Sequence, residues 1–285
     1  MSRARRTFAS LAQPLYRRYF VGHVTTVLGF WIRLVVQGWL VYDLTGNRAL
    51  LGAITAVSML PLAVLSPFGG ILADRLDRRR MLLLLPLVAV VANLVLGLLV
   101  LSDAILVEHI FIAAGVIGVA RALEMPARHA FVRDLVGLED LTNAVALNAA
   151  GFNLGRLVGP SLAAVSLAAF GMGESFLIAA VANAGLPIAL LGIHVEPRRS
   201  SPAARGPFRQ LAEGVAYVRG HRRTRTLMIL LGITVLCLWT YQTQLVAYAK
   251  DLLSLDDKGY ALLMSVPGLG AIVGALWVAG RTEGR

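Results

Sequence analysis

The chain has 285 residues, 57% of them hydrophobic and only 15% charged, and its mean hydropathy of +0.72 lies far above that of water-soluble domains. The formal net charge is +11 and the pI near 10.8, yet the basic residues gather between apolar runs, so membrane sorting explains the excess and no nucleic-acid partner is expected. The lone cysteine, Cys237, sits in an apolar run and excludes a disulfide scaffold, a zinc site or an iron–sulfur cluster within the chain; no cofactor or metal is expected.

A hydrocarbon core roughly 30 Å thick is crossed by about 20 apolar residues at the rise of an α-helix. Eight runs of that kind are predicted, over 20–40, 50–72, 81–101, 105–122, 143–170, 176–193, 227–249 and 260–279. The alternation of a barrel strand is absent from them, which leaves helices as the spanning structure. The first run continues past Trp39 to Tyr42 without a small-residue cleavage pattern, so it reads as a retained span rather than a signal peptide.

Arg3, Arg5, Arg6, Arg17 and Arg18 precede the first span, Arg75 and Arg78 to Arg80 follow the second, and Arg121, Arg128 and Arg133 lie around the link after the fourth. The link after the sixth carries eight further arginines between Arg198 and Arg225, whereas the alternate links hold Asp43, Asp103, Glu108, Glu174, Asp251, Asp256 and Asp257. By the positive-inside rule both termini face the cytoplasm.

An internal repeat is visible. Thr26-Val27-Leu28, Trp31 and Asp43-Leu44 reappear at one constant offset as Thr234-Val235-Leu236, Trp239 and Asp251-Leu252, so spans seven and eight look like counterparts of spans one and two. The expected organisation is a six-span bundle over 1–195, a basic cytoplasmic linker over 196–226, and the start of a second bundle over 227–285. The linker contains Pro197, Pro202, Gly206 and Pro207, followed by an amphipathic interfacial stretch over 208–218.

Between spans two and three, Gly70-Ile71-Leu72-Ala73-Asp74-Arg75-Leu76-Asp77-Arg78-Arg79-Arg80 makes a short charged turn. Gly70 would permit close helix approach, Asp74 can pair with Arg78 or cap a neighbouring helix, and the other guanidiniums suit the headgroup level. This turn resembles the signature loop of the major facilitator superfamily, with Asp77 standing where the pattern has its second glycine. In span five, Gly155-Arg156-Leu157-Val158-Gly159-Pro160 resembles the start of the antiporter motif of exporter branches, with Ala163 and Ala164 in place of glycines. Gly155 and Gly159 lie one turn apart, and Pro160 removes a backbone donor.

Trp39-Leu40-Val41-Tyr42-Asp43-Leu44-Thr45-Gly46, Pro126-Ala127-Arg128, and Asn143-Ala144 through Leu147-Asn148 extend the likeness, which is to the enterobactin-exporter and macrolide-efflux branch. The resemblance implies an all-α membrane protein of major facilitator fold: a complete N-terminal six-helix bundle plus the first two helices of the C-terminal one. It also implies proton-linked export of small amphipathic molecules, siderophores or macrolides among them, across a bacterial inner membrane. Arg121 resembles the arginine of the fourth-span proton-transfer motif, although Leu123, Glu124 and Met125 replace the Gln and Gly expected after it.

An arginine at the centre of a spanning helix costs roughly 2.5–3.5 kcal/mol on insertion scales, so it faces a cavity more often than lipid. Arg33 with Gln37 one turn on, and Arg156 with Asn153, meet that description. With Tyr241, Gln242 and Gln244 of span seven they are expected to line a substrate cavity that favours negative charge or phenolic oxygens. The apolar runs place Asp43, Glu124 and Glu174 near span ends, so Asp43, Asp74, Arg121 and Glu124 remain the candidates for proton coupling. Enzyme activity is not expected, because the spans hold no nucleophile–base pair and the chain no phosphate-binding Gly-rich loop. The chain ends with Gly280-Arg281-Thr282-Glu283-Gly284-Arg285, where a second charged loop should lie, four spans short of a design with six spans in each half. A non-transporting membrane protein, or an assembly or sensing partner, therefore stands as the alternative. Small molecules, the bilayer and protons are the expected partners, and nothing specifies an oligomer.

Overall fold

The computed structural model describes residues 9–193 and 216–255 with Gly259, Leu263 and Val266, and for 235–243 the backbone only. The arginines before residue 9, the predicted eighth span apart from Leu263 and Val266, and the interfacial stretch of the linker apart from 216–218 lie outside the described residues.

After a short 3-10 turn (Ala9–Ala12), the helices are α1 (Pro14–Thr45), α2 (Arg48–Arg75), α3 (Arg78–Leu101), α4 (Val107–Val136), α5 (Leu141–Phe170), α6 (Met172–Asn183), α7 (Gly185–Leu191) and α8 (Arg222–Asp251). Their ends follow from local chemistry. Pro14 opens α1, where its missing N–H costs nothing. Gly46 ends α1 in the left-handed region at φ 60°, and the Asn47 side chain caps α2 by accepting from the Ala49 N–H at 2.9 Å. Asp77 caps α3, its carboxylate accepting from the N–H groups of Arg79 and Arg80 at 2.8 and 3.2 Å. The departure from the family's glycine thus supplies a helix cap.

Five of the helices, and α6 with α7 together, are each long and apolar enough to cross a membrane, six spans in all among the described residues. Large apolar side chains such as Leu84, Val91 and Leu98 of α3 face outward, as lipid contact requires. The predicted fourth span ends at Ala122, but α4 continues through Pro126 to Val136. An apolar window stops where charges begin; the helix does not, because Glu124 and Arg128 pair one turn apart along it.

The sixth span is not one helix but two. Pro187 cannot donate to the Asn183 carbonyl, and the chain breaks at Ala184. Thr26 of α1 fills the gap: its hydroxyl donates to Asn183 O at 3.3 Å and accepts from the Leu186 N–H at 3.0 Å. A broken helix inside a bilayer requires such a partner.

α1 is the centre of the bundle. In its most apolar stretch 72% of residues are buried, against 11% for α2, and it packs on α2, α4, α5, α6, α7 and α8. One apolar cluster around Val36, Trp39, Leu51 and Phe176 fills the acidic end, and another around Tyr16, Leu82, Phe131 and Leu186 fills the basic end. Between them sits a small group of Val27, Phe30 and Trp31. α5 reaches α1 through Gly155 and Gly159, where an added Cβ would collide with Val27 and Trp31.

Gly70 behaves differently from its sequence reading: no described atom lies within 4 Å of where its Cβ would stand. The close approach belongs to Gly69, packed on the Ala122 carbonyl and Leu123 of α4. Gly159→Leu is therefore predicted to lower stability by about 1–3 kcal/mol, read as a fall in unfolding temperature of the purified protein, whereas Gly70→Ala leaves that temperature unchanged.

Candidate functional site

Between the two apolar clusters lies a cavity of about 310 Å³ bounded by α1, α3, α4 and α5 and closed at one side by Asn183 of α6. Much of its wall is apolar, with Val27, Phe30, Pro86, Ile117 and Phe152, and into it project Arg33, Arg121, Glu124 and Arg128. Ligand sites share this composition: mostly apolar surface with a few convergent polar groups.

Arg33 is 3% exposed. Its Nη1 donates to Gln37 Oε1 one turn along α1, and its guanidinium lies 5.7 Å from the Phe30 ring centre. Arg121 of α4 lies over the same ring at 3.9 Å, a cation–π contact. Three residues further on, Glu124 is 5% exposed and forms an ion pair with Arg128, whose Nη1 also meets His23 Nδ1 at 2.9 Å. Glu124 thus sits deep inside α4, not at a span end as the apolar windows implied. Among the described residues the cavity holds three guanidiniums and one carboxylate; Arg128 occupies the carboxylate, and neither Arg33 nor Arg121 forms an ion pair with any described residue.

Of the residues expected to line this space, Arg33 and Asn153 do so, and Gln37 stands behind Arg33 as its hydrogen-bond partner. Arg156 does not: it is exposed, one turn beyond Phe152 and Asn153 along the same helix face, outside the cavity wall. Gln244 is elsewhere too, its Nε2 donating to the Arg48 carbonyl at 3.5 Å near the acidic end. The side chains of Tyr241 and Gln242 lie outside the described residues. Sequence reasoning missed Arg128, Asn148 and Asn183. A Glu and an Arg four residues apart within an otherwise apolar helix were the available signal.

The charged loop at the basic end ties four helices together. Arg78 donates to Asp134 of α4 at 2.7 Å and to the Ala73 carbonyl at 3.1 Å, with Asp74 at 3.7 Å. Arg79 donates through Nε and Nη2 to the Leu190 carbonyl at 3.2 and 3.0 Å, satisfying the C-terminus of α7. Arg75 is exposed in the last turn of α2.

At the acidic end the two repeats meet. Tyr42 donates to Asp251 at 2.5 Å, and Lys250 donates to Asp43 at 2.6 Å. In each case the residue before the repeat's aspartate reaches the aspartate of the other repeat. Arg48 adds a bond from Nε to Asp251 at 2.9 Å, and the Lys250 ammonium lies 4.2 Å from the Trp39 ring centre.

Helices crossing a bilayer, a charged loop between the second and third spans, and a repeat that meets itself at one end define a multi-pass membrane protein of major facilitator type. The sequence matches the transmembrane secretion effector family over residues 5–282, and the chain belongs to that family. It is 25% identical over 259 residues to the staphyloferrin A transporter of Staphylococcus aureus (strain NCTC 8325 / PS 47), covering 90% of this chain and 65% of that one. The multidrug efflux pump Tap of Mycolicibacterium fortuitum is 30% identical over 153 residues, 52% of this chain and 37% of its own. Macrolide efflux protein A of Streptococcus pyogenes is 24% identical over 199 residues, 69% and 48% of the two chains. A solved bacterial homolog of the human lysosomal transporter Spinster, inward-facing and unoccupied, superimposes with a TM-score of 0.68 at 13% identity, over 99% of this chain and 64% of that one. The chain therefore spans between 37% and 65% of the length of these relatives.

Val246 is 3% exposed in the cluster that fills the acidic end. With Cys237→Ser as background, a cysteine in place of Val246 is predicted to react slowly with a water-soluble maleimide. Arg48→Asp should raise the labelling rate about tenfold by setting like charges against each other, and Arg48→Asp combined with Asp251→Arg should restore it.

Proposed function

We propose that the protein is a secondary active transporter that exports small amphipathic organic molecules, of the drug, macrolide or siderophore class, in exchange for protons. In this reading it lies in the bacterial cytoplasmic membrane with both termini in the cytoplasm, so the arginine-rich end is inside and the acidic end outside. Residues 1–195 form one bundle, and residues from 227 begin its counterpart across the central cavity. The observation that carries the reading is the cavity itself: an apolar pocket inside a membrane bundle that holds buried ions, at the depth where major facilitator proteins hold substrate. The relatives named above are transporters and efflux proteins, which supports the same class.

The parts take distinct roles. The Asp43–Lys250 and Tyr42–Asp251 contacts close the outer side; the Asp43–Lys250 pair is solvent-accessible and weak enough to break in a transport cycle. The loop with Gly70, Asp74, Arg75, Arg78 and Arg79 governs the inner side, where remaking a few charge–helix contacts shifts the balance between states. Gly155 and Gly159 let α5 rest on α1, and Pro160 removes one backbone bond where α5 must flex.

Among the candidates for proton coupling, Glu124 fits best. Arg121 keeps its charge at any physiological pH, and Asp43 is engaged at the far end by Lys250. Glu124 lies in the cavity wall, and protonating it would release Arg128. In proteoliposomes holding the product of the complete reading frame, Glu124→Gln is predicted to reduce dye efflux driven by an imposed pH gradient about tenfold more than it reduces gradient-independent counterflow. Wild-type efflux that ignores collapse of the gradient would sink the antiport reading.

A further inference from the structure

The cavity contains more positive charge than the described residues around it answer. Arg121, Glu124 and Arg128 follow one another at spacings of three and four residues, which puts them on one face of α4. Among the described residues Glu124 is the only carboxylate in the cavity wall, and it belongs to Arg128. What remains is Arg33 from α1 and Arg121 from α4, their guanidiniums 5.7 and 3.9 Å from the centre of a single ring, Phe30. Arg33 finds a neutral partner in Gln37, and Arg121 finds the face of Phe30.

Neither contact neutralises a charge. A buried guanidinium without an anion is costly in a bundle surrounded by lipid, so two of them about one ring describe a place that an anion completes. Their chemistry also narrows the kind of anion. A guanidinium offers five N–H donors in a planar fork suited to carboxylate oxygens. Gln37 engages Arg33 through Nη1, and a cation held over a ring uses no N–H in that contact, so both forks keep donors for a ligand. Phe30 itself supplies an apolar surface beside both, and Asn148 and Asn153 add neutral hydrogen-bonding groups to the same wall.

We infer that Arg33 and Arg121, both beside Phe30, form a clamp for a carboxylate carried by the transported molecule, so that the cavity selects organic anions over their neutral analogues. The inference rests on the transport reading above and goes further by fixing the charge of the substrate and the residues that read it. It also separates two arginine functions within one cavity: Arg128 balances an internal acid, whereas Arg33 and Arg121 await an external one.

The test uses the product of the complete reading frame and a fluorescent dye in two forms, one with a free carboxylate and one with that group as its primary amide. The wild-type protein in proteoliposomes should export the acid at least about tenfold faster than the amide, and fluorescence anisotropy with the purified protein should show the same preference in binding. Arg33→Gln and Arg121→Gln should each lower the acid-to-amide ratio about tenfold, and Arg121→Lys, which keeps the charge but loses the fork, should give an intermediate ratio.

Equal binding of the two dyes by the wild type overturns the clamp without reference to any variant. A loss of both dyes in step, with the ratio unchanged, assigns the two arginines to structure and overturns the clamp while export stands. Export of neither dye by the wild type, despite tight and selective binding of the acid, would instead count against the transport reading and leave the binding preference as the supported part.

Discussion

A guanidinium inside a bilayer-spanning bundle must be answered by other atoms, and the arrangement around Arg33 is the answer this sequence gives. Arg33 lies in α1, the helix on which most of the others pack, and it is 3% exposed. Gln37 holds it from one side and Phe30 from the other. For Phe30 to serve Arg121 as well, α4 has to come within reach of α1. The contact between Arg128 and His23 secures that distance nearer the basic end. The polar line from Arg33 to His23 thus joins α1 to α4, and the cavity lies beside it.

Close packing elsewhere makes that space possible. Lipid offers no hydrophobic force to press helices together, so contact depends on fit and on satisfied polar groups. Gly155 and Gly159 bring α5 onto α1, and Thr26 repairs the break that Pro187 makes between α6 and α7. The two ends then differ in kind. At the basic end, Arg78 and Arg79 bind neighbouring helices through an aspartate and through helix-terminal carbonyls, contacts within one bundle. At the acidic end the bonds run between the repeats themselves, from Tyr42 to Asp251 and from Lys250 to Asp43. Contacts within one bundle and contacts between repeats that differ in this way suit the alternating exposure of a central site proposed above.

Much of this was legible in the sequence. Runs of apolar residues reveal membrane spans because the bilayer imposes their length, and the charged turn from Gly70 to Arg80 is legible because so few sites in such a chain tolerate that density of charge. The matched Asp43 and Asp251 pointed to a repeat, although no sequence pattern showed that the two would lie side by side. Arg33 was recognisable as a cavity residue from its depth alone. Arg156 was not distinguishable from it, since both are central arginines, and only the structure shows that the cavity wall stops one turn short of Arg156 along α5. Glu124 was misplaced because hydropathy windows end at the first cluster of charge while α4 carries on to Val136. The cap made by Asp77 and the break at Ala184 depend on single hydrogen bonds, which composition does not report.

The central claim is that the cavity between α1, α4 and α5 is where an anionic substrate binds. Asn153 lies in its wall, and Cys237 is the chain's one cysteine, so a Cys237→Ser, Asn153→Cys protein carries a single thiol at the site. The rate of its reaction with N-ethylmaleimide, measured with and without a saturating carboxylate-bearing substrate, is the most direct test. The account predicts that the substrate slows labelling severalfold and that its neutral analogue does not. Labelling that proceeds at the same rate while the substrate is demonstrably bound would place the binding site elsewhere and contradict the account.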